Sequence, residues 1–303
     1  MNPVLSVCIP TRNRYELLRR AIASVMPLPQ EVELIIADNA SSDATQQFDP
    51  TAEGIRLIRH QDLLPMAENW NSCLRVARGT YVLVLSDDDY VETGFLAACL
   101  ARLQADDPRC GIFVTSHRIE VHGRANATGK QVDLAQSHPG RDHLLQGEFA
   151  RQCLQGLHFQ LCSVIFRRDL LLPRGFDAAW SYILDAAAWL QCAARRPCVG
   201  LIPEAWSTYT LNVQNASWSI QRGLRMREDV QLTFALRHVA AAAGGPPLNL
   251  AWMALRRLLR QAGYLSERNR WVQARLFALG LFHALRSPWQ GKQLLLPHER
   301  TQP

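Results

Sequence analysis

No Cys-x-x-Cys pair occurs in the chain, although it carries eight cysteines: Cys8, Cys73, Cys99, Cys110, Cys153, Cys162, Cys192 and Cys198. Their spacing argues against a zinc ribbon and against a small disulfide scaffold. Several lie inside apolar runs, as buried free thiols in a reducing compartment do. No Gly-x-Gly-x-x-Gly follows the first apolar strand pattern, which disfavours a dinucleotide oxidoreductase. No uncharged apolar run approaches the roughly 20 residues of a membrane-spanning helix. Met1-Asn2-Pro3 leads straight into a strand pattern, so no signal peptide is expected. Internal repeats and low-complexity segments are missing. Charge is not in large excess either: the net charge is +6 and charged residues make up 20%. That balance permits an anionic partner but gives little support to nucleic-acid binding.

What the chain does have is length and apolar content, 303 residues and 48% hydrophobic, enough for a substantial core. Its first third alternates strand and helix patterns. Ser6–Ile9 reads as a strand stopped by Pro10. Arg14–Val25 reads as a helix, with Leu17, Leu18, Ala21, Ile22 and Val25 on one face. Val32–Ala37 and Ile55–Ile58 read as strands, Met66–Ala77 and Thr93–Gln104 as helices, and Gly111–Ser116 as a strand. This alternation predicts a parallel, doubly wound sheet. From about His117 to Gly147 the pattern breaks and an irregular excursion is expected, with His117, His122, His138 and His143 on its surface or near an acceptor. A strand pattern returns at Cys162–Phe166, and a helix at Ala186–Ala194.

The most telling run is Ser86-Asp87-Asp88-Asp89, directly after the apolar Tyr81–Leu85. Five apolar residues rich in Val and Leu predict a strand buried on both faces. Carboxylates at its end need partners, and a divalent cation with its preference for hard oxygen ligands is the simplest. Open α/β sheets bind ligands at the carboxyl ends of their strands. The run therefore points to a metal-dependent site for a phosphate-bearing ligand, against the alternative of a solvated acidic turn.

Five segments in order carry a resemblance. They are Val4–Arg14; Leu34–Thr45 with its Asp-Asn-Ala-Ser-Ser-Asp turn; Glu68–Asn71 with Arg78–Tyr81 before the aspartates; Arg174–Asp177 followed by Leu184-Asp185; and Tyr209–Ser217. Together they resemble family 2 glycosyltransferases of the GT-A fold, over roughly residues 4–217. The resemblance implies a Rossmann-like, mostly parallel sheet flanked by helices over 1–220, with a helical region over 221–303. It implies inverting transfer of a sugar from a nucleoside-diphosphate sugar to an acceptor hydroxyl, with Mn²⁺ or Mg²⁺. By resemblance to bacterial relatives, the acceptor is a glycan or lipid-linked glycan and the role is surface polysaccharide synthesis. Cytoplasmic localisation follows, with peripheral contact at the inner membrane face as a further expectation.

Laid on the family pattern, Asp88 is the expected metal ligand. Ser86 stands where the family carries the first Asp of Asp-x-Asp, so a ribose contact would come from its hydroxyl or move to Asp87. Asp89 is a second ligand or a partner behind the ligand, or else a helix-capping or solvated carboxylate. Asp38 takes the position that hydrogen-bonds the nucleobase, or is a turn-forming Asp. Pro10, Thr11, Arg12 and Asn13 are expected to line the nucleotide cleft, and either Arg12 or Arg14 to reach phosphate. Asn69 faces the nucleotide in relatives, and Glu68 stands where many of them carry a cation. Asp185 is the candidate general base and also fits a helix N-cap. Thr210 and Asn212 replace the family's Arg and His.

These departures keep a second reading open, a non-catalytic sugar-nucleotide-binding or partner protein on the same fold. A sugar nucleotidyltransferase would need a Gly-rich loop after the first strand, and Pro10-Thr11-Arg12-Asn13 has no glycine. Beyond Met226 the chain reads as helical and Arg-rich. Trp252, Leu255, Leu258 and Leu259 lie beside Arg256, Arg257 and Arg260, which fits either a packed helix or a contact with anionic lipid.

Overall fold

The strand patterns assemble into one sheet. The computed structural model describes residues 2–121, 130–172, 174–211, 220 and 222–243. In chain order, β1 (Leu5–Thr11), α1 (Tyr15–Val25), β2 (Val32–Asn39), β3 (Arg56–His60), α2 (Met66–Val76) and β4 (Tyr81–Val84) form the first half. They are followed by β5 (Tyr90–Val91), α3 (Phe95–Leu103), β6 (Cys110–Val121), β7 (Gln131–Val132), α4 (Leu134–Ser137), β8 (His143–Leu145) and α5 (Gln146–Gln155). The last described elements are β9 (Val164–Arg167), α6 (Arg168–Leu171), α7 (Leu184–Ala193), β10 (Cys198–Leu211) and α8 (Arg222–Ala242).

The sheet order is β3-β2-β1-β4-β9-β6-β10-β5, with β7 on β6 and β8 on β10. Every residue of β1 and β4 is buried, as unbroken apolar runs require of central strands covered on both faces. On one face α1 and α3 pack through Leu18, Ile22, Phe95 and Leu100. On the other, α2, α5, α7 and α8 share a core built around Val82, Val84, Phe149, Phe166 and Trp189. Leu232, Leu236 and Val239 place α8, beyond residue 220, in that same core. Gly147 of α5 makes room for the end of α8, because a Cβ there would collide with the side chain of Ala243. All eight cysteines are free and buried. Among the described residues no helix is long and apolar enough to cross a membrane.

The structure corrects several expectations. The sheet is mixed, because β9 runs antiparallel between β4 and β6. An apolar run reads the same in either direction. Here the turn Leu161–Ser163 delivers the chain to the carboxyl end of β4, opposite the middle of β6, so β9 must run back. Pro10 does not stop β1: pairing with β4 ends at Cys8, so Pro10 borders only β2 and its missing N–H is tolerated. Among its described residues the expected excursion carries regular elements. β6 continues to Val121, and β7, α4, β8 and α5 follow. The half-exposed end of β6 and the shortness of these elements removed the periodic signal. His117 is 1% exposed rather than at the surface, and burial holds its imidazole down to about 4. His138 is buried as well, between Ser137 Oγ and Gln152 Oε1. His122, Asn212 and the apolar and Arg-rich stripe of 252–260 lie outside the described residues.

One contact ties the two halves together. Asn71 of α2 donates to Phe176 C=O at 2.9 Å and accepts from Phe176 N–H at 2.7 Å. Gly175 beside it has φ +64°, and a Cβ there would strike the Asn71 amide. Trp70 and Phe166 pack edge-on against the Phe176 ring. Asn71→Ala would leave two buried backbone groups unpaired, each costing about 1–3 kcal/mol. A fall in Tm on the order of 5–10 °C is expected by thermal unfolding. A Tm within a degree of wild type would show that this clamp carries no weight.

Candidate active site

The functional residues gather where β1, β2 and β4 end. These strands are parallel and in register, with Leu5 opposite both Val32 and Tyr81, so their carboxyl ends form one edge. Thr11, the last residue of β1, is opposite Asp38 on β2. The acidic run follows β4 in a turn closed by Asp89 N–H donating to Ser86 C=O at 3.0 Å. Asp87, Asp88 and Asp89 are 5%, 4% and 0% exposed, so they are not a solvated turn.

All three have partners, and Arg14 is shared between two of them. Asp87 Oδ2 accepts from Thr11 Oγ1 at 2.8 Å. Arg14 Nη1 bridges Asp87 Oδ1 at 3.0 Å and Asp88 Oδ2 at 3.1 Å. Asp89 Oδ1 accepts from Thr210 N–H on β10 at 2.8 Å. Arg20, over the Tyr90 ring, donates to the Asp88 carbonyl and to Thr210 Oγ1. Burial pushes the Asp87 carboxyl up to about 6, with Arg14 pulling against it and Asp88 adding repulsion. Burial likewise raises Asp88 against the pull of Arg14, and raises Asp89 well above the carboxylate range, with Asp88 adding to it. The cluster is thus short of positive charge. Buried oxygen donors carrying excess negative charge fit a hard divalent cation such as Mg²⁺ or Mn²⁺. Asp88, half shared with Arg14, is the carboxylate suited to hold it.

The flanking loops are stitched to one another. Asn13, at φ 52°, accepts from Ser42 N–H at 2.7 Å, and its own N–H donates to Ser41 Oγ. Asp43 caps α1 through Tyr15 N–H and the following 3-10 turn through Thr45 N–H. Pro10 is buried, while Arg12 is exposed, so Arg14 and not Arg12 engages the aspartates. Asp38 is fully buried and both its oxygens are used, one by Ser41 N–H and one by Arg59 Nε at 3.0 Å. Arg59 sits opposite Asp38 in the register of β3 on β2 and is the residue that sequence reasoning missed there. Asn69 donates to Ala37 C=O, and its Oδ1 is buried without a partner among the described residues.

Asp185 approaches the same edge from α7. β9 is antiparallel to both β4 and β6, so β6 runs parallel to β4. The last turn of α7 packs on Gly111 at the start of β6, where a Cβ would meet the Cys192 carbonyl. The helix therefore runs back along the sheet, and its first turn lies toward the carboxyl edge. Asp185 is the second helical residue rather than the N-cap, which is Ile183. Its Oδ1 accepts from Ala186 N–H at 2.7 Å. Burial pushes its carboxyl up to about 6, with no cation among the described residues offsetting it.

A second grouping of potential ligands, Asp107, Cys110 and Cys198, lies at the opposite edge, where β6 and β10 begin. Asp107 is already paired with Arg109 at 2.8 Å and Arg102 at 4.0 Å, so its charge is balanced.

Comparison with known proteins places the family and the fold. Residues 6–167 match Glycosyl transferase family 2. A GalNAc(5)-diNAcBac-PP-undecaprenol beta-1,3-glucosyltransferase of Campylobacter jejuni is 33% identical over 199 residues, 62% of this chain. The chain spans 59% of that relative's length and 63% of that of another curated relative. S. aureus TarS 1-349 in complex with UDP-GlcNAc superposes with a TM-score of 0.59 at 13% identity, covering 96% of this chain and 90% of that one. Mannosyltransferase PcManGT from Pyrobaculum calidifontis, in complex with GDP-Man and Mn²⁺, gives 0.53 at 18% identity, covering 97% and 84%. The fold is that of these GT-A enzymes.

Proposed function

The chain belongs to glycosyl transferase family 2, and we propose that it moves a sugar from a nucleoside-diphosphate sugar to an acceptor hydroxyl with inversion, aided by a divalent cation. The observation that carries this reading is the pairing of two acidic features at one sheet edge. One is the buried, charge-crowded trio Asp87–Asp89, and the other is Asp185, whose carboxyl burial raises to about 6. When bound, the cation supplies positive charge for the diphosphate that leaves.

The remaining roles belong to the chain's own residues. Asp88 holds the cation, with Asp87 and Ser86 beside it on the donor side. Pro10, Thr11 and Asn13 shape the floor of the nucleotide cleft, and exposed Arg12 reaches its mouth. Asn69 offers its unpaired Oδ1 to the donor. Asp38, through Arg59, fixes the wall on which the base rests. Asp185 accepts the proton of the acceptor hydroxyl as the new bond forms. That the Campylobacter relative acts on an undecaprenol-linked glycan supports a lipid-linked glycan as acceptor, in surface polysaccharide synthesis at the inner membrane face.

A panel of UDP, GDP and dTDP, each with Mn²⁺ or Mg²⁺, tests donor binding by thermal shift. A nucleotide at 100 times its Kd stabilises by about 2.7 kcal/mol. One nucleotide is expected to raise Tm by several degrees only with metal present, and its sugar conjugate to be hydrolysed slowly. No shift with any pair would overturn the reading. A metal-dependent shift without hydrolysis or transfer would leave a binding protein in its place.

A further inference from the structure

The N-cap residue of α7, Ile183, offers no side-chain acceptor, and within the first turn Asp185 takes only the Ala186 N–H. A helix start and the N–H groups leading into it need acceptors. They find one far away in sequence. Glu228 of α8, 1% exposed, turns both carboxylate oxygens toward the strand of chain before α7. Ser181 N–H donates to Oε1 at 3.1 Å and Oε2 at 3.2 Å, Tyr182 N–H to Oε2 at 2.7 Å, and Ile183 N–H to Oε2 at 3.1 Å. Three consecutive N–H groups thus converge on one anion. One turn earlier on α8, Arg225 lies over the Tyr182 ring, 5.7 Å from its centroid, and donates to Ile220 C=O. The rest of the helix is held by Leu232, Ala235, Leu236 and Val239 in the core shared with α5 and α7.

Asp185 stands two residues after the last of these N–H groups. We propose that Glu228 is a positioning residue, which gathers the N–H groups of Ser181, Tyr182 and Ile183 and thereby fixes where α7 presents Asp185. The inference rests on the reading of Asp185 as base. It assigns α8 a task in the active site that its place outside the strand–helix alternation does not announce. The segment 181–183 enters α7 from an irregular connection, and a carboxylate anchored in the core holds it in place.

The test uses Glu228→Gln, which keeps the volume but turns one acceptor oxygen into an N–H₂ donor facing backbone donors. Leu236→Ala, farther along α8, is the control for loosening the helix alone. One readout needs no substrate. The difference in Tm between Asp185→Asn and its parent, followed from pH 4 to 8, reports the titration of Asp185, which no other charged group among the described residues perturbs. In wild type it changes up to about pH 6. In the Glu228→Gln background the change is expected to end about one pH unit lower, as the loosened start of α7 turns the half-buried carboxyl further into solvent. In the Leu236→Ala background it should stay put. With UDP-glucose and GDP-mannose as donor probes, Glu228→Gln should lower turnover about tenfold while leaving nucleotide Kd unchanged. Glu228→Asp, a carboxylate one methylene shorter, should recover part of it and serves alone if the Gln variant does not fold. An unshifted titration, or an equal effect of Leu236→Ala, would overturn the assignment of Glu228. Full turnover in Asp185→Asn would instead overturn the base reading and leave the titration result standing.

Discussion

Asp185→Asn is expected to lower turnover by roughly 10²-fold or more while nucleotide binding stays near wild type. The amide is nearly isosteric, and its carbonyl can still accept from Ala186 N–H, so the helix start survives. What it cannot do is take a proton. The pH dependence follows from the burial that raises this carboxyl to about 6. A base must be ionised, so kcat/KM of wild type should fall as pH drops below about 6, and the small residual activity of the variant should not show that limb. Stability should move in the opposite sense. The folded value lies above the roughly 4 of an unfolded Asp. Between the two, the native state binds more protons than the unfolded one. The contribution of Asp185 is therefore complete below pH 4 and is lost as pH rises to about 6. Above that, burying the carboxylate costs stability, and the variant should be at least as stable as wild type. A variant that turns over normally would remove Asp185 from the chemistry. One that is inactive and also markedly less stable at pH 7 would make its role structural.

Why some of this was legible in the sequence and some was not comes down to range. β1, β2 and β4 are inner strands, and their mostly apolar runs announce them. α1 shows its buried stripe, Leu18, Ala21, Ile22 and Val25, at helical spacing. The acidic run is informative because a buried strand precedes it, which is local information too. Direction is not local. The run ending at Phe166 gives no hint that β9 runs backwards, because that is decided by where Leu161–Ser163 deliver the chain. Strand ends that reach past the core are also hard to see: the end of β6 is half exposed and mixes Arg118 and Glu120 with apolar residues, so its pattern fades where the strand continues. Partner choice is the least legible. Asp38 is visible as a strand-end carboxylate, but its pairing with Arg59 depends on the register of β3 against β2. The capping role assigned to Asp185 from its place near a helix start falls short for the same reason. Asp185 takes only the Ala186 N–H, and the acceptor for the N–H groups of Ser181 to Ile183 that lead into the helix comes from Glu228, more than forty residues on.

Asp88→Ala is expected to abolish transfer and to remove the part of nucleotide binding that depends on metal. The argument is one of charge. Three carboxylates lie within one buried turn, and Arg14 is shared between two of them. A cation entering this cluster gains most from the carboxylate that Arg14 only half satisfies, and Asp88, unlike Asp87, has no hydroxyl of Thr11 to share its charge with. Removing it leaves Asp87 with both Thr11 and Arg14, and leaves Asp89 on Thr210 N–H, so the local fold keeps its bonds. The metal-free variant should therefore unfold no earlier than wild type. The metal-dependent stabilisation by nucleotide, about 2.7 kcal/mol at 100 times Kd, should vanish, a loss of about 5–10 °C in Tm shift. Cys198→Ser provides the comparison, because it alters the other grouping of potential ligands, at the opposite sheet edge. That variant should keep the metal-dependent shift in full. If Asp88→Ala retains the shift and Cys198→Ser loses it, the cation binds where β6 and β10 begin. The charge crowding of the acidic turn would then serve another purpose. If Asp88→Ala alone loses it, the run after β4 is the metal site that its burial and chemistry imply.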